Sequence, residues 1–316
     1  MSMEKIAIVG AGLIGRAWAM VFARAGHEVA MYDAAPGAVD KALGLIGAGL
    51  NESREFELID EAAETVLERI RGAASLADAL MDADYVQENT AENLEIKRAV
   101  FAQMDAAAKP ECILASSTST IETSRFADGL PGRHRCLVAH PVNPPHVVPI
   151  VEISPAPFTS AEAVERTRSL HERVGQVPIT VKREVEGFIL NRLQAALLNE
   201  AWRLVKEDYV SVEDLDKTIR DGLGLRWAFM GPFETIDLNA PGGVADYAAR
   251  YGPKLQGMMQ HVVYEPWEPE LIARVEAERR KLMAQNDHGR REAWRDRRLM
   301  ALIAHKRKMT KDDGHR

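Results

Sequence analysis

Near the start of the chain, Ile6, Ala7, Ile8 and Val9 form an apolar run without polar alternation, the pattern of a strand buried on both faces of a parallel sheet. Gly10, Gly12 and Gly15 then complete a G-x-G-x-x-G spacing. A helical pattern over 16–24 follows, stopped by Gly26, and a second strand over 28–32 ends in Asp33. Pro36 and Gly37 introduce helical spacing over 38–46, and alanine-rich, charged helical segments follow at 61–70 and 76–81. Short strands are expected at 84–86, 112–115, 135–139, 147–153 and 177–181, with helices at 93–108 and 160–174 between them. Strand and helix in alternation predict a mostly parallel, doubly wound sheet whose crevice lies at the carboxyl ends of its strands.

The pattern changes near Glu184. From Gly187 onward only helical spacing is found, at 188–207, 212–223, 268–285 and 290–308, and Ser211 with Asp214 resembles a capping box. The expected organisation is α/β, a Rossmann-type domain over 1–186 followed by an all-helical domain over 187–316. A chain of 316 residues is long enough for two such cores.

Composition narrows the partners. The chain is 46% hydrophobic and 28% charged, as in ordinary soluble proteins, and its net charge of -7 argues against nucleic acid or an anionic membrane as the main partner. No apolar run approaches the roughly 18 residues of a membrane span. The first strand begins too early to leave room for a signal peptide, so a cytoplasmic protein is expected. Cys112 and Cys136 both lie in apolar runs and read as buried, reduced thiols. The basic tail, from Arg290 to Lys308, could contact a polyanion. Trp294, Leu299, Leu302 and Ile303 run through it at helical spacing, which favours a docked helix with a solvated charged face.

The glycine motif follows a strand and opens a helix, the context in which it binds a dinucleotide. Gly10 serves the tight turn, Gly12 admits the pyrophosphate, Gly15 allows close helix packing, and the free N–H groups at Leu13 and Ile14 meet the phosphates. Asp33 can accept bonds from both ribose hydroxyls and repels a 2'-phosphate; neither Ala34 nor Ala35 would welcome one. NAD is therefore the expected cofactor. A second stretch, AHPVNPPHVVPIVE over 139–152, places His140 at the end of a strand and Glu152 on the next. Removing a hydroxyl proton as hydride leaves the same carbon needs a base that titrates near neutral pH, as imidazole does, and an acid to orient it. Taken alone, a histidine in this position reads more readily as structural. His134, His140 and His146 lack a metal-ligand arrangement, so no metal is assigned.

GAGLIG, ENLEIK (92–97), SSTST (116–120), HPVNPP, GFILNRLQ (187–194), DGLGLRWAFMGPFET (221–235) and EAWRDRRL together resemble the L-3-hydroxyacyl-CoA dehydrogenase superfamily over nearly the whole chain. Within it the chain is most similar to the branch of lambda-crystallin and L-gulonate 3-dehydrogenase. The resemblance implies His140 as general base, Glu152 as its orienting partner, and Ser119 and Asn191 as ligands of the substrate oxygen. Glu92, Lys97 and Asn143 match residues near the nicotinamide half of the cofactor. It also implies a homodimer built mainly by the helical domain. Ser117 departs from the usual S-N-T-S run, as the crystallin branch does.

The activity implied is NAD-dependent oxidation of the C3 hydroxyl of a 3-hydroxy acid, L-gulonate first. A 3-hydroxyacyl-CoA thioester, a carnitine-type acid, or a structural crystallin role are the alternatives. Arg226 is the candidate carboxylate ligand, on an expected glycine-punctuated turn over 222–231. Its other reading is a brace that pairs with Asp221 or Glu234.

Overall fold

The computed structural model describes residues 3–260 and 262–312. Eight strands, β1 (Ile6–Val9), β2 (Val29–Tyr32), β3 (Ile70–Gly72), β4 (Tyr85–Glu88), β5 (Ile113–Ser116), β6 (Cys136–Pro141), β7 (Ile150–Pro155) and β8 (Val177–Thr180), form one sheet in the order β3-β2-β1-β4-β5-β6-β7-β8. Neighbours pair in parallel except β6 and β7, which run antiparallel.

Around the sheet run α1 (Leu13–Arg24), α2 (Ala38–Glu55), α3 (Ala63–Leu67), α4 (Leu76–Leu80), α5 (Leu94–Ala107), α6 (Thr123–Ala127) and α7 (Ala161–Arg173). Alternate residues of β1 enter two different cores: Ile6 and Ile8 pack with Trp18, Phe22 and Ile46 of α1 and α2, whereas Ala7 and Val9 pack with Leu80 and Phe101 of α4 and α5. With both faces covered, every position of the strand is apolar, which is why the sequence shows a run and not an alternation. β1 lies between β2 and β4, so successive connections leave it in opposite directions. That reversal opens a crevice beyond Val9 and Glu88, which are register partners at the strand ends.

Helices α8 (Leu190–Lys206), α9 (Val212–Lys217), α10 (Gly224–Trp227), α11 (Pro232–Leu238), α12 (Gly243–Met259), α13 (Pro269–Leu282) and α14 (His288–Asp312) follow. Among the described residues this half has no strand. The chain divides into two compact units, one holding the residues up to Asn191 with those from Glu292 on, the other Arg192–Arg291. Most of α14 is thus counted with the nucleotide-binding unit, whereas the expected boundary put all residues after 186 in the second. Met300 joins Leu58 and Val147 in a small buried cluster, and Arg297 bonds Glu52 at 3.0 Å. In the second unit Val205, Val212 and Leu271 form the core, and Trp202 stacks on Trp267 at 5.1 Å.

Two local expectations are corrected. Of the helix expected over 61–70 only Ala63–Leu67 is helical, and Ile70–Gly72 is an edge strand on β2. Only Ile70 of that strand is buried, so it carries almost no apolar pattern. The expected turn over 222–231 is helical as far as Trp227: α9 widens into an i→i+5 turn over Thr218–Leu223 that runs into α10. Cys112 and Cys136 are free and buried, and desolvation pushes both thiols up to about 12. Among the described residues no helix is long and apolar enough to cross a membrane.

Candidate active site

The cleft at the β1 end has the shape a dinucleotide needs. Gly10 takes φ 97°, and a Cβ on Gly15 would lie 1.9 Å from the Gly10 carbonyl oxygen, so α1 starts closer to the strand than any side chain permits. A Cβ at Gly12 would meet nothing within 4 Å, and α1 has no side-chain cap and no acid in its first turn. Its leading N–H groups therefore face open space beside an uncompensated positive helix end, which suits a pyrophosphate. At the tip of β2, Asp33 accepts the N–H of Ala11 at 2.7 Å and that of Ala35 at 2.8 Å. The carboxylate is thereby fixed beside the glycine turn, where a ribose diol would lie. These residues fit NAD; a dinucleotide laid across the strand-order reversal would put its adenosine half toward Asp33 on β2 and its nicotinamide half over β4 and β5.

His140 and Glu152 are direct cross-strand partners in the antiparallel β6–β7 pair, which puts both side chains on one face of the sheet. His140 Nδ1 lies 2.8 Å from Glu152 Oε2. A carboxylate only accepts, so Nδ1 carries the proton and Nε2 keeps its lone pair, the form a general base requires. Glu152 Oε1 accepts the N–H groups of Ile189 at 2.9 Å and Leu190 at 3.0 Å, the start of α8. Burial works against the charged Glu152, but the His140 bond and the two backbone bonds outweigh it and hold the carboxyl below its usual range.

The approach to α8 is unusual: Gly187 and Phe188 both take positive φ, 74° and 49°. For phenylalanine that costs roughly 1–2 kcal/mol. Its ring, fully buried 5.4 Å from the His140 ring, offsets the cost and holds the imidazole in place.

Ser119 and Asn191 are brought together, with Asn191 Nδ2 donating to the Ser119 carbonyl at 2.8 Å. The 118–120 turn is gathered by one oxygen: Glu92 Oε1 accepts from Thr118 Oγ1 (2.7 Å), Ser119 N (3.0 Å), Ser119 Oγ (3.3 Å), Thr120 N (3.1 Å) and Thr120 Oγ1 (3.1 Å). Partial burial opposes ionisation of Glu92, but the Thr118 bond, the Lys97 charge and the bonds from Thr120 and Ser119 prevail and lower its pKa. Lys97 is almost wholly buried, bonding both oxygens of Glu88 at 3.0 and 3.1 Å. Asn143 is exposed on the turn after β6 and lines a cavity of about 360 Å³ with Leu13, Arg16 and Pro144. Arg226, on α10 in the second unit, is exposed, and its side chain bonds no described residue; Asp221 pairs with Arg220 instead.

A buried polar chain underlies this site. Gln87 Nε2 donates to the Ala139 carbonyl at 3.1 Å and to Ser117 Oγ at 2.7 Å, so its Oε1 must be the acceptor of the Tyr85 hydroxyl at 2.7 Å. Tyr85 has one proton to give, and His171 Nε2, 3.0 Å away, therefore donates to Tyr85. Ser117 also accepts Trp18 Nε1 at 3.0 Å and passes its own proton to Asn89 Oδ1 at 2.8 Å. Every donor direction follows from the fixed ends. The chain ties the tips of β4 and β5 to the carbonyl just before His140. Glu88, Gln87 and Phe188 were not foreseen as site residues. A charged residue closing the apolar strand 85–88, nine positions before Lys97, was the available signal for Glu88.

Comparison with known proteins agrees with this geometry. Residues 5–185 match the 3-hydroxyacyl-CoA dehydrogenase NAD-binding domain, and residues 187–280 match the 3-hydroxyacyl-CoA dehydrogenase C-terminal domain. The chain is 40% identical over 309 residues to lambda-crystallin of Oryctolagus cuniculus, covering 96% of this chain and 97% of that one. It is 37% identical over 255 residues to L-carnitine dehydrogenase of Pseudomonas aeruginosa, covering 80% and 78%. Among solved structures, a 5-formyl-3-hydroxy-2-methylpyridine 4-carboxylic acid 5-dehydrogenase, described as an NAD+-dependent dismutase, superposes with a TM-score of 0.83 at 26% identity over 100% of both chains. The chain belongs to the 3-hydroxyacyl-CoA dehydrogenase family, NAD-dependent oxidoreductases that act on CH–OH groups.

Proposed function

We propose that the protein oxidises the C3 hydroxyl of a free 3-hydroxy acid, with L-gulonate, giving 3-dehydro-L-gulonate, as the substrate that best fits. The His140–Glu152 pair carries the reading. Nε2 of His140 takes the hydroxyl proton, and ionised Glu152 stabilises the imidazolium that forms. NAD held by the 10–15 turn and Asp33 would supply the hydride acceptor for C3. Ser119 and the second amide hydrogen of Asn191 are assigned to the substrate oxygen as it becomes a carbonyl. Asn191 is already held at one hydrogen by the Ser119 carbonyl, so little reorganisation is needed.

Two observations favour a free acid over a thioester. The Arg226 side chain is exposed and has no ionic partner among the described residues, and the bracing partner Asp221 is occupied by Arg220. A guanidinium in that state can take a carboxylate through two parallel bonds. The structural neighbour that superposes over its whole length is itself named for a carboxylic acid substrate.

The test is NADH production from L-gulonate, L-carnitine, 3-hydroxybutyrate and 3-hydroxybutyryl-CoA, repeated with Arg226→Met. The variant is expected to lose about 2–3 kcal/mol in kcat/KM for L-gulonate while binding NADH unchanged. A wild type that prefers the CoA ester by a wide margin, or a variant that loses nothing with free acids, overturns the free-acid reading. No turnover of any of them would favour the structural crystallin role.

A further inference from the structure

Glu88 is the most completely satisfied carboxylate at the head of the sheet. Its side chain is inaccessible to solvent, and it accepts Thr90 N at 2.6 Å, Thr90 Oγ1 and Ser116 Oγ at 2.5 Å each, and Lys97 Nζ at both oxygens. Lys97 is left 3.9 Å from Glu92 Oε2, beyond hydrogen-bond reach. Glu92 spends its other oxygen on the 118–120 turn. Oε2 of Glu92 thus accepts no hydrogen bond from the described residues, and its side chain is 40% exposed.

The charge count is simple. Glu88 and Lys97 cancel at contact distance, leaving Glu92 as a net negative charge over β4 and β5, where the second half of a dinucleotide laid across the strand-order reversal would lie. Glu152, the other carboxylate near this half, is answered by His140 and the start of α8. The oxidised nicotinamide ring is a cation and the reduced ring is neutral. We propose that Glu88 is a positioning residue that sets the cofactor's redox preference: by absorbing the charge of Lys97 it leaves Glu92 free to favour the oxidised dinucleotide over the reduced one. At an effective dielectric of about 20, one unit charge changes affinity by about tenfold at roughly 12 Å, and by more when nearer. The inference rests on the dinucleotide site and is independent of the substrate class.

The test measures Kd for NAD+, NADH and ADP-ribose by calorimetry on the full chain, without substrate. In Glu88→Gln, Lys97 loses its counter-charge and turns toward Glu92; the ratio Kd(NAD+)/Kd(NADH) is expected to rise at least about tenfold while ADP-ribose binding stays within twofold. Glu92→Gln should raise the ratio in the same direction. Glu88→Gln combined with Lys97→Met removes both charges of the pair and should return the ratio toward wild type. The proposal is overturned by an unchanged ratio in Glu92→Gln, by a double variant that behaves like Glu88→Gln, or by equal weakening of all three ligands in Glu88→Gln. Should Glu88→Gln fail to fold, Glu92→Gln and the double variant decide the matter alone.

Discussion

Replacing Glu152 by glutamine changes one atom, and its outcome can be worked from three bonds. The carboxylate accepts Ile189 N–H and Leu190 N–H on Oε1 and His140 Nδ1–H on Oε2. An amide has one acceptor. If its oxygen faces His140, the NH2 group confronts two backbone donors that cannot turn away, and two partly buried N–H groups lose their acceptor at up to about 1–3 kcal/mol each. If its oxygen faces the backbone, only the charge-assisted bond to His140 is lost, about 1.5–3 kcal/mol. The second arrangement wins, and its NH2 then forces Nδ1 of His140 to accept.

The imidazole proton must then move to Nε2, the atom that should receive the substrate proton. Glu152→Gln is therefore expected to lower kcat by about 10²- to 10⁴-fold, close to His140→Gln, with little change in NADH affinity. Stability should fall by about 1.5–3 kcal/mol in urea unfolding. Nitrogen NMR of the imidazole distinguishes the two tautomers directly. Near-normal turnover with the proton still on Nδ1 would refute the argument.

Three further outcomes follow from other parts of the molecule. Asp33→Ser with Ala34→Arg should move cofactor preference from NAD toward NADP in steady-state kinetics; because Asp33 also ties Ala11 and Ala35, some loss of overall activity is expected, and equal use of both cofactors by the wild type would defeat the assignment. Burial holds His146 down at about 4 and His171 at about 3, so between pH 6.5 and 4 the unfolded chain takes up protons that the folded chain refuses, and stability falls as pH falls. From pH 7 to 5 each should cost about 2 kcal/mol in denaturant unfolding, and His171→Met should lose correspondingly less than wild type. A homodimer is expected from the large apolar side chains the single chain leaves exposed in its helical unit, among them Leu193, Phe229, Phe233, Met258 and Trp267; a monomeric mass in light scattering at micromolar concentration would count against it.

How much could be read from the chain depended on whether a feature was periodic or relational. β1, α1 and β2 were legible to within a few residues because glycines punctuate them and both sheet faces demand apolar runs. β3 was not, since an edge strand with one buried residue leaves no pattern. The helical course through 222–227 was hidden for another reason: Gly222 and Gly224 signal a turn, yet a wide i→i+5 turn absorbs them within a helix. His140 and Glu152 were visible as residue types, but only the antiparallel register sets them opposite one another. Glu88 carries no signal of its own in the sequence beyond its charge at a strand end, and its importance comes from Ser116 and Lys97, which the fold brings to it from other elements.

The departure at Ser117 shows the same dependence on partners. Here the position has a hydroxyl with Trp18, Gln87 and Asn89 at 2.7 to 3.0 Å. A hydroxyl has two lone pairs and one proton, so three partners exhaust its capacity. Gln87 on β4 is one of them, and its amide also reaches the carbonyl preceding His140. The carbonyl before His140 is thus supported by a residue within the sheet, and Tyr85 and His171 hold that glutamine in one orientation.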